Sequence, residues 1–278
     1  MSEVIEQIKQ RIITAIESNQ LVLPTLPEVA LKVREASQDE NVNIQKLSDV
    51  IAQDPALTAR IIKVTNSPLL RASREIEDLK MAVSRLGIDY TANLATGLAM
   101  EQMFQATSDV VDKLLRETWS RSTEVAGISH VIAKNYSKLK PDQATLGGLV
   151  HKIGVLPILT FAEDHRKLLK NPAVLEKLIE VAHPAIGRKI LEVWDFPTAL
   201  QLVPQEHLRF DRVVDAVDYA DVVLVANLQS YVGSDHPLTK MDWSTISAFD
   251  RLGLSHEISS HEAEDLSEDM EAAMAFLQ

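Results

Sequence analysis

Apolar residues recur at helical spacing along almost the whole chain. In the first hundred residues they form short amphipathic segments, each bounded by residues that begin or end helices. Asp54-Pro55 and Asp78 are typical of first helical turns, because an aspartate caps free backbone N–H groups and a proline needs none. Thr25 to Glu28 has the spacing of a capping box, and Ile88 to Phe104 has the pattern of a helix. The pattern predicts an all-α fold.

The second half of the chain predicts longer helices. Residues 144–161 are apolar on nearly all sides, which indicates a buried central helix. A buried strand is the alternative that periodicity does not exclude, although the length favours a helix. Pro184 and Pro197 are expected to separate helices. The predicted helices are 109–135, 144–161, 172–181, 184–194, one ending near His207, 211–231, and two short ones from about Asp242 and Ser255.

Composition narrows the function classes. The chain has 278 residues, 46% hydrophobic and 24% charged, as in a globular protein. Its formal net charge of −12 argues against broad binding to nucleic acid or an anionic membrane, so neither DNA nor membrane is expected as a partner. The absence of cysteine excludes disulfides, thiolate zinc sites and cysteine nucleophiles. With no predicted targeting or membrane-spanning segment, we expect a cytoplasmic protein.

The negative charge is concentrated near the C-terminus. No lysine or arginine follows Arg251, and residues 255–278 contain seven aspartates and glutamates. Apolar residues recur at helical spacing in the same stretch, which predicts an amphipathic helix with an acidic face. The rest of the chain is only mildly acidic, so the charge argument against nucleic acid is weaker there.

Four motifs follow one another in the first ninety residues. They are Leu23-Pro24-Thr25-Leu26-Pro27, Asp54-Pro55-Ala56-Leu57-Thr58, Asn66-Ser67, and Ala82-Val83-Ser84-Arg85-Leu86-Gly87. In this order they closely resemble the HDOD (HD-related output domain) family of bacterial signalling proteins, which is related to HD-type phosphohydrolases. The resemblance runs from about residue 20 to about residue 225. It implies a helical fold and a role in bacterial regulation, usually through protein contacts.

The resemblance also implies a degenerate form of the HD metal site. Active HD sites use histidines and aspartates to bind one or two metals that activate water for phosphoester attack. Here Arg121 stands where the first histidine would be, and Lys152 replaces the aspartate of the His-Asp pair. The degenerate positions are Arg121, His151, Lys152, His183, His207 and Asp221.

Charge decides what these replacements mean. Charged lysine and arginine have no lone pair to offer a metal, and two cations beside a divalent ion would repel it. We therefore expect no catalytic residues and no cofactor. If one divalent metal ion were retained, its ligands would be His151, His183, His207 and Asp221. Without a metal, we expect Asp221 to pair with Arg121 or Lys152, or these two cations to bind an anion.

Two packed helical sub-bundles with a C-terminal helical extension are the predicted architecture. The first sub-bundle is residues 1–108, the second is the HD-like core of residues 109–225, and the extension is residues 226–278. The predicted function is a non-catalytic signalling module whose partners are unknown signalling proteins. The alternatives are a metal-dependent phosphohydrolase with a residual one-metal site, and a sensor of an anion, a cyclic dinucleotide or another nucleotide.

Overall fold

The computed structural model describes residues 2–18, 20–70, 74–256, 272–273 and 276–277. All regular secondary structure in these residues is helical, which confirms the all-α prediction. The first half contains α1 (Ser2–Glu17), α2 (Glu28–Gln38), α3 (Ile44–Ile51), α4 (Pro55–Thr65), α5 (Leu79–Leu86) and α6 (Ile88–Ala99). A 3₁₀ turn, Met100–Met103, follows α6, so the helix expected to reach Phe104 ends earlier and tightens in its last turn.

Side-chain caps start several of these helices as predicted. Asp54 accepts a hydrogen bond from the Leu57 backbone N–H at 3.0 Å, and Asp78 accepts one from Met81 at 2.8 Å. The capping box predicted at Thr25 is wrong. Pro27 is the residue that precedes α2, and it makes no side-chain cap hydrogen bond. The helix begins at Glu28, so Thr25 lies too far upstream to cap it.

The second half contains the long helices. They are α7 (Asp109–Tyr136), α8 (Pro141–Val150), α9 (Val155–Asp164), α10 (Arg166–Leu169), α11 (Pro172–Val193), α12 (Thr198–Gln201), α13 (Val203–Glu206), α14 (Tyr219–Gln229) and α15 (Ser247–Leu252). Two 3₁₀ turns, Pro237–Lys240 and Trp243–Thr245, precede α15. The long helix predicted over 109–135 is confirmed as α7, and the short helix expected from about Asp242 is a 3₁₀ turn followed by α15.

Three of the predicted boundaries are wrong. The helix predicted over 144–161 is divided by a turn at residues 151–154, which apolar composition does not mark. The break predicted before Pro184 does not occur, because α11 continues through it with that proline inside the helix. The helix predicted from Asp211 begins only at Tyr219, because Asp218 caps α14 and its carboxylate holds Arg212 in the preceding loop.

Helices α7 and α8 pack with their backbones in close approach. A Cβ atom added to Gly148 would lie 2.4 Å from Cα of Ala126, so only glycine fits at this crossing. Helix α6 contacts both α2 and α8, and one continuous hydrophobic core extends across the boundary predicted near residue 108. The two predicted sub-bundles, residues 1–108 and 109–225, therefore share one apolar interior.

Arg34 joins α2 to the end of α11. Its guanidinium donates hydrogen bonds to the backbone carbonyls of Trp194 at 2.6 Å and Asp195 at 2.7 Å, and it lies 4.6 Å from the centre of the Phe196 ring. The indole N–H of Trp194 donates in turn to the Pro24 carbonyl at 3.0 Å. The Leu-Pro motif is thus attached to the end of α11.

Residues near the C-terminus return to the core. The described residues Ala273, Phe276 and Leu277 are at most 2% exposed. The acidic helix predicted from about Ser255 falls almost entirely on residues 257–271, which lie outside the described residues.

One apolar segment among the described residues, from Pro141 to Asp164, is long and apolar enough to cross a membrane by length and composition. It consists of α8, the following turn and α9, and 83% of its most apolar window is buried inside the fold. Packing in the core accounts for this hydropathy.

Candidate functional site

Three histidine rings meet between the α8–α9 turn, α11 and the end of α13. His151 begins the turn between α8 and α9, His183 lies on α11, and His207 follows α13. The ring of His207 lies 4.9 Å from that of His151 and 5.4 Å from that of His183, measured between ring centres. All three side chains are buried. The fold therefore brings together three of the six predicted site residues.

Backbone packing sets the distance between His151 and His183. Gly154 lies in the same turn as His151, and a Cβ atom there would be 2.1 Å from the carbonyl oxygen of His183. It would also be 2.6 Å from the backbone nitrogen of Gly187 on α11. The turn can approach α11 this closely only because residue 154 has no side chain.

Hydrogen bonds to the backbone fix the protonation of each ring. The Nδ1 atoms of His151, His183 and His207 lie 2.6, 2.7 and 3.0 Å from the carbonyl oxygens of Gly148, Ile179 and Pro204. Because a carbonyl only accepts, Nδ1 carries the proton in each ring. The Nε2 atom of a neutral ring is then an acceptor, and all three Nε2 atoms are buried without a hydrogen-bond partner.

Burial keeps these rings neutral. It lowers the pKa of His183 to about 3, and nearby Lys152 contributes in the same direction. Burial also lowers the pKa of His151 and of His207 well below the usual value, again with a contribution from Lys152. The cluster is therefore uncharged at neutral pH and presents unpaired acceptors.

Two cations and two aromatic side chains form one edge of the site. The Lys152 ammonium lies 3.5 Å from the Tyr231 hydroxyl, and the Arg121 guanidinium lies over the same ring, 4.6 Å from its centre. Arg121 also donates to the Glu124 carboxylate and to the Ser230 carbonyl, both at 2.7 Å. The His236 ring stacks on the Tyr231 ring, with 3.7 Å between the ring centres.

Asp221 does not pair with Arg121 or Lys152, and that expectation is wrong. Its carboxylate accepts hydrogen bonds from Arg212 at 2.5 Å and from Arg251 at 2.8 and 2.7 Å. Burial lowers the pKa of Arg212, but its bonds to Asp218 and Asp221 outweigh this effect and raise the pKa above its usual value. Neither Arg212 nor Arg251 occupies a position that the resemblance assigns, so neither was predicted as a site residue.

The donor type at the cluster suits one divalent ion, but the arrangement does not. Three neutral imidazoles are suitable zinc ligands. However, the described histidine, aspartate and glutamate side chains include no group of three placed to hold a metal ion. The Lys152 ammonium lowers the pKa of all three rings, and both Asp221 oxygens are occupied by guanidinium groups. Metal binding would require the rings to converge and the ammonium to move away.

The sequence signature of the HDOD domain matches residues 23–210, more than half of the chain. The chain belongs to the HDOD family. Five of the six predicted site positions lie inside the matched region, whereas Asp221 and its partner Arg251 lie beyond it.

Solved structures extend the similarity of this HDOD chain to its whole length. A candidate metal-dependent phosphohydrolase from Shewanella amazonensis SB2B is 30% identical, covers 100% of both chains and superimposes with a TM-score of 0.86. An HDOD domain protein of unknown function from Geobacter sulfurreducens is 22% identical, covers 97% of this chain and 99% of its own, and has a TM-score of 0.61. At that identity the second likeness concerns the fold alone.

A curated relative is larger than this HDOD chain. An uncharacterized protein from Treponema pallidum (strain Nichols) is 25% identical over 191 residues, which is 63% of this chain. The chain spans about a third of the length of that relative, 35%. A candidate signal transduction protein from Marinobacter aquaeolei VT8 shares the fold at a TM-score of 0.63 and 22% identity, over 93% of this chain and 60% of its own.

Proposed function

We propose that this HDOD chain is a non-catalytic regulatory module of a bacterial signalling pathway, acting in the cytoplasm through contacts with other proteins. The observation that supports this most is the charge beside the histidine cluster. A metal-dependent phosphohydrolase needs carboxylates that bind and neutralise its ions. Lys152 brings an ammonium near enough to lower the pKa of the histidines, and Asp221 is paired with two arginines.

The ion-pair cluster gives Asp221 a structural role in this proposal. Arg212 is 4% exposed and Asp221 fully buried, and buried charges are retained only when paired. Arg251 extends the cluster from α14 to α15, beyond the HDOD signature. The helices that this cluster joins then form a fixed scaffold, whose outer surfaces contact partner proteins.

Metal analysis of the purified full chain tests the non-catalytic part of the proposal. We expect no stoichiometric manganese, iron, nickel or zinc and no turnover of a generic phosphoester. Lys152→Asp, which replaces the ammonium with a carboxylate, should increase affinity for added metal, whereas the matched control Lys152→Ala should increase it less. Stoichiometric metal together with turnover that disappears in His151→Ala would overturn the proposal.

A pull-down with the native chain tests the signalling part. We expect a small set of regulatory proteins whose binding survives His151→Ala and His183→Ala, because contacts on the outer surface do not use the buried rings. Binding that depends on added metal or on those histidines would count against a purely scaffolding role.

A metal-dependent phosphohydrolase is the second candidate. It is favoured by the three unpaired Nε2 atoms, since buried acceptors without a partner normally have water or an ion nearby. Residues His151, His183 and His207 would then be the ligands. The metal analysis and the His151→Ala variant distinguish this candidate from the first.

An anion or nucleotide sensor is the third candidate. It is favoured by the approach of Arg121 and Lys152 to the same Tyr231 ring, where a phosphate could displace Glu124 from Arg121. Calorimetric titration with phosphate, a mononucleotide and a cyclic dinucleotide should then give metal-free binding that is lost in Arg121→Ala and in Lys152→Ala. No heat with any of the three rejects this candidate.

A further inference from the structure

A cavity of about 390 Å³ lies between α2, α6 and the loop that joins α11 to α12. We call it the α2–α6 cavity, and its polar lining includes Arg34, Asn93, Thr96, Asp195 and Gln201. Its volume falls within the range of about 300–1,000 Å³ that is usual for small-molecule sites. None of the six predicted site positions is among the described residues that line it, so the cavity is separate from the histidine cluster.

The threonine at this cavity carries a buried hydroxyl without a hydrogen-bond partner. Thr96 lies in α6 and is 1% exposed. A buried threonine in a helix often donates to the carbonyl four residues earlier, as Thr91 does to Gly87 at 2.7 Å. Thr96 makes no such bond. Because a helical threonine adopts either of two rotamers, rotation of this side chain can turn its hydroxyl to a bound molecule.

Opposite charges lie at the same cavity without forming an ion pair. The Arg34 guanidinium donates to the backbone carbonyl of Asp195 at 2.7 Å, and among the described residues no side chain pairs with the Asp195 carboxylate. Burial lowers the pKa of Arg34 and the charge of Asp195 opposes this shift, so the two charges interact without touching. An arginine has more N–H donors than the two that Arg34 uses on carbonyls, and the others remain for a ligand.

The backbone of Asp195 adopts a conformation that favours glycine. Its φ is 53°, and it is the one non-glycine residue with a positive φ in the described part of the chain. Glycine is the usual residue at this position after a helix, because it has no side chain to strain. An aspartate here is retained against that strain, and it places an exposed carboxylate at the cavity.

Two side-chain amides add hydrogen-bond acceptors. The Asn93 amide NH₂ donates to the Asp142 carboxylate at 2.6 Å, and the Gln201 amide NH₂ donates to the Phe196 carbonyl at 2.7 Å. Each amide group is thereby oriented, and its carbonyl oxygen remains an acceptor. The cavity thus combines a carboxylate and two amide oxygens with the N–H groups of a guanidinium.

We propose that the α2–α6 cavity binds a free α-amino acid with a polar, uncharged side chain. A simple anion would be repelled by Asp195 and a simple cation by Arg34, whereas a zwitterion satisfies both charges. Its ammonium group binds the Asp195 carboxylate, its carboxylate binds the remaining N–H groups of Arg34, and the Thr96 hydroxyl and the two amides bind its polar side chain. This inference does not rest on the proposed signalling function, since a regulatory module and a hydrolase are equally compatible with such a ligand.

Isothermal titration of the full chain with glutamine, serine, leucine, glutamate and lysine, each up to about 10 mM, tests the proposal. We expect glutamine or serine to bind more tightly than the other three. Two analogues of glutamine test the need for both charges. Glutaramic acid lacks the ammonium group and 4-aminobutanamide lacks the carboxylate, and neither should bind.

Two conservative variants test the assigned residues. Asp195→Asn removes the charge and keeps a residue that tolerates a positive φ, so it should fold and bind glutamine about tenfold more weakly or worse. Thr96→Val removes the unpaired hydroxyl and keeps the side-chain shape, so it should weaken binding without lowering the melting temperature. Asp211→Asn changes an exposed aspartate that does not line the cavity, and it is the matched control.

Absence of heat with all five amino acids would overturn the proposal. So would equal affinity in Asp195→Asn and the control, or binding of either analogue as tight as that of glutamine. A lower melting temperature in Thr96→Val would show that its hydroxyl has a structural partner. Circular dichroism checks the fold, and Asp195→Gly replaces Asp195→Asn if that variant does not fold. A negative result leaves the metal analysis and the pull-down unaffected, so the two proposals fail separately.

Discussion

Two hydrogen bonds, of 2.8 and 2.7 Å, join the guanidinium of Arg251 to both carboxylate oxygens of Asp221. Such a two-point contact fixes the orientation of both groups. It connects α15 to α14 at the position that the family resemblance assigns to a metal-binding aspartate. The same carboxylate also accepts from Arg212, so one buried negative charge is neutralised by two positive ones.

Removing this carboxylate should destabilise the chain strongly. Asp221→Ala takes a fully buried carboxylate away from Arg251 and from Arg212, which keeps its ion pair with Asp218. Breaking a buried ion pair costs about 3–5 kcal/mol, and we expect a loss near the lower end of that range. Urea denaturation should show this loss in the free energy of unfolding. Glu117→Ala, which removes a solvent-exposed partner of Lys113, is the control and should change it by less than about 1 kcal/mol. Similar values for the two variants would contradict the assignment.

The buried histidines should make the chain less stable in mild acid. The pKa of His183 is about 3 and that of His130 about 4 in the folded chain, against about 6.5 when unfolded. Below pH 6.5 the unfolded chain therefore binds more protons, and the free energy of unfolding falls as the pH falls toward these values. Each such histidine contributes a slope of about 1.4 kcal/mol per pH unit within this window.

Urea denaturation between pH 7.5 and 5, with a chelator present, measures that slope. His183→Gln removes one titrating ring and should reduce the slope by about 1.4 kcal/mol per pH unit, the value for one proton. A free energy of unfolding that stays constant over this range would show that the rings are not buried and neutral.

Two adjacent glycines in α8 should respond in opposite directions to alanine. At Gly148 the new Cβ atom would lie 2.4 Å from the Ala126 Cα, and overpacking of this kind costs about 1–3 kcal/mol. At Gly147 the nearest atoms are 3.5 Å away, so alanine fits and should stabilise the helix by about 0.5–1 kcal/mol. Thermal unfolding of the two variants provides the comparison. A stabilising Gly148→Ala would show that α7 and α8 are farther apart.

Arg34 should be irreplaceable by lysine. Lysine cannot donate to two backbone carbonyls from a planar group while covering the Phe196 ring. Arg34→Lys should therefore lose about 1–3 kcal/mol of unfolding free energy, close to the loss in Arg34→Ala. Lys32→Ala, which affects a solvent-exposed pair with Glu28 on the same helix, is the control. An unchanged free energy of unfolding in Arg34→Lys would show that the positive charge alone, and not the planar guanidinium, stabilises this contact.

The predictable part of the fold is the part governed by local signals. Asp54 and Asp78 cap the helices that their positions indicated, because capping depends only on neighbouring backbone N–H groups. The turn at residues 151–154 was not predictable from local sequence. It is accompanied by the close contact of Gly154 with α11, whose residues are about thirty positions later. The helix break predicted at Pro184 was wrong for a related reason. The packing of α11 outweighs the loss of the one backbone hydrogen bond that a proline removes.

The candidate site divides in the same way. His151, His183 and His207 were placed together by resemblance, and their rings do meet. The partners of Asp221 could not be inferred, because Arg251 lies thirty positions later, and nothing local to either residue indicates that they pair.

The glycine contact between the two histidine-bearing elements has a consequence for assembly. Gly154 lies against the backbone of α11, so main-chain contacts hold the turn that carries His151 beside the helix that carries His183. In small zinc domains the ion is required for folding. Here we expect the turn and α11 to pack without an ion, and to keep their places when donor side chains between them are replaced.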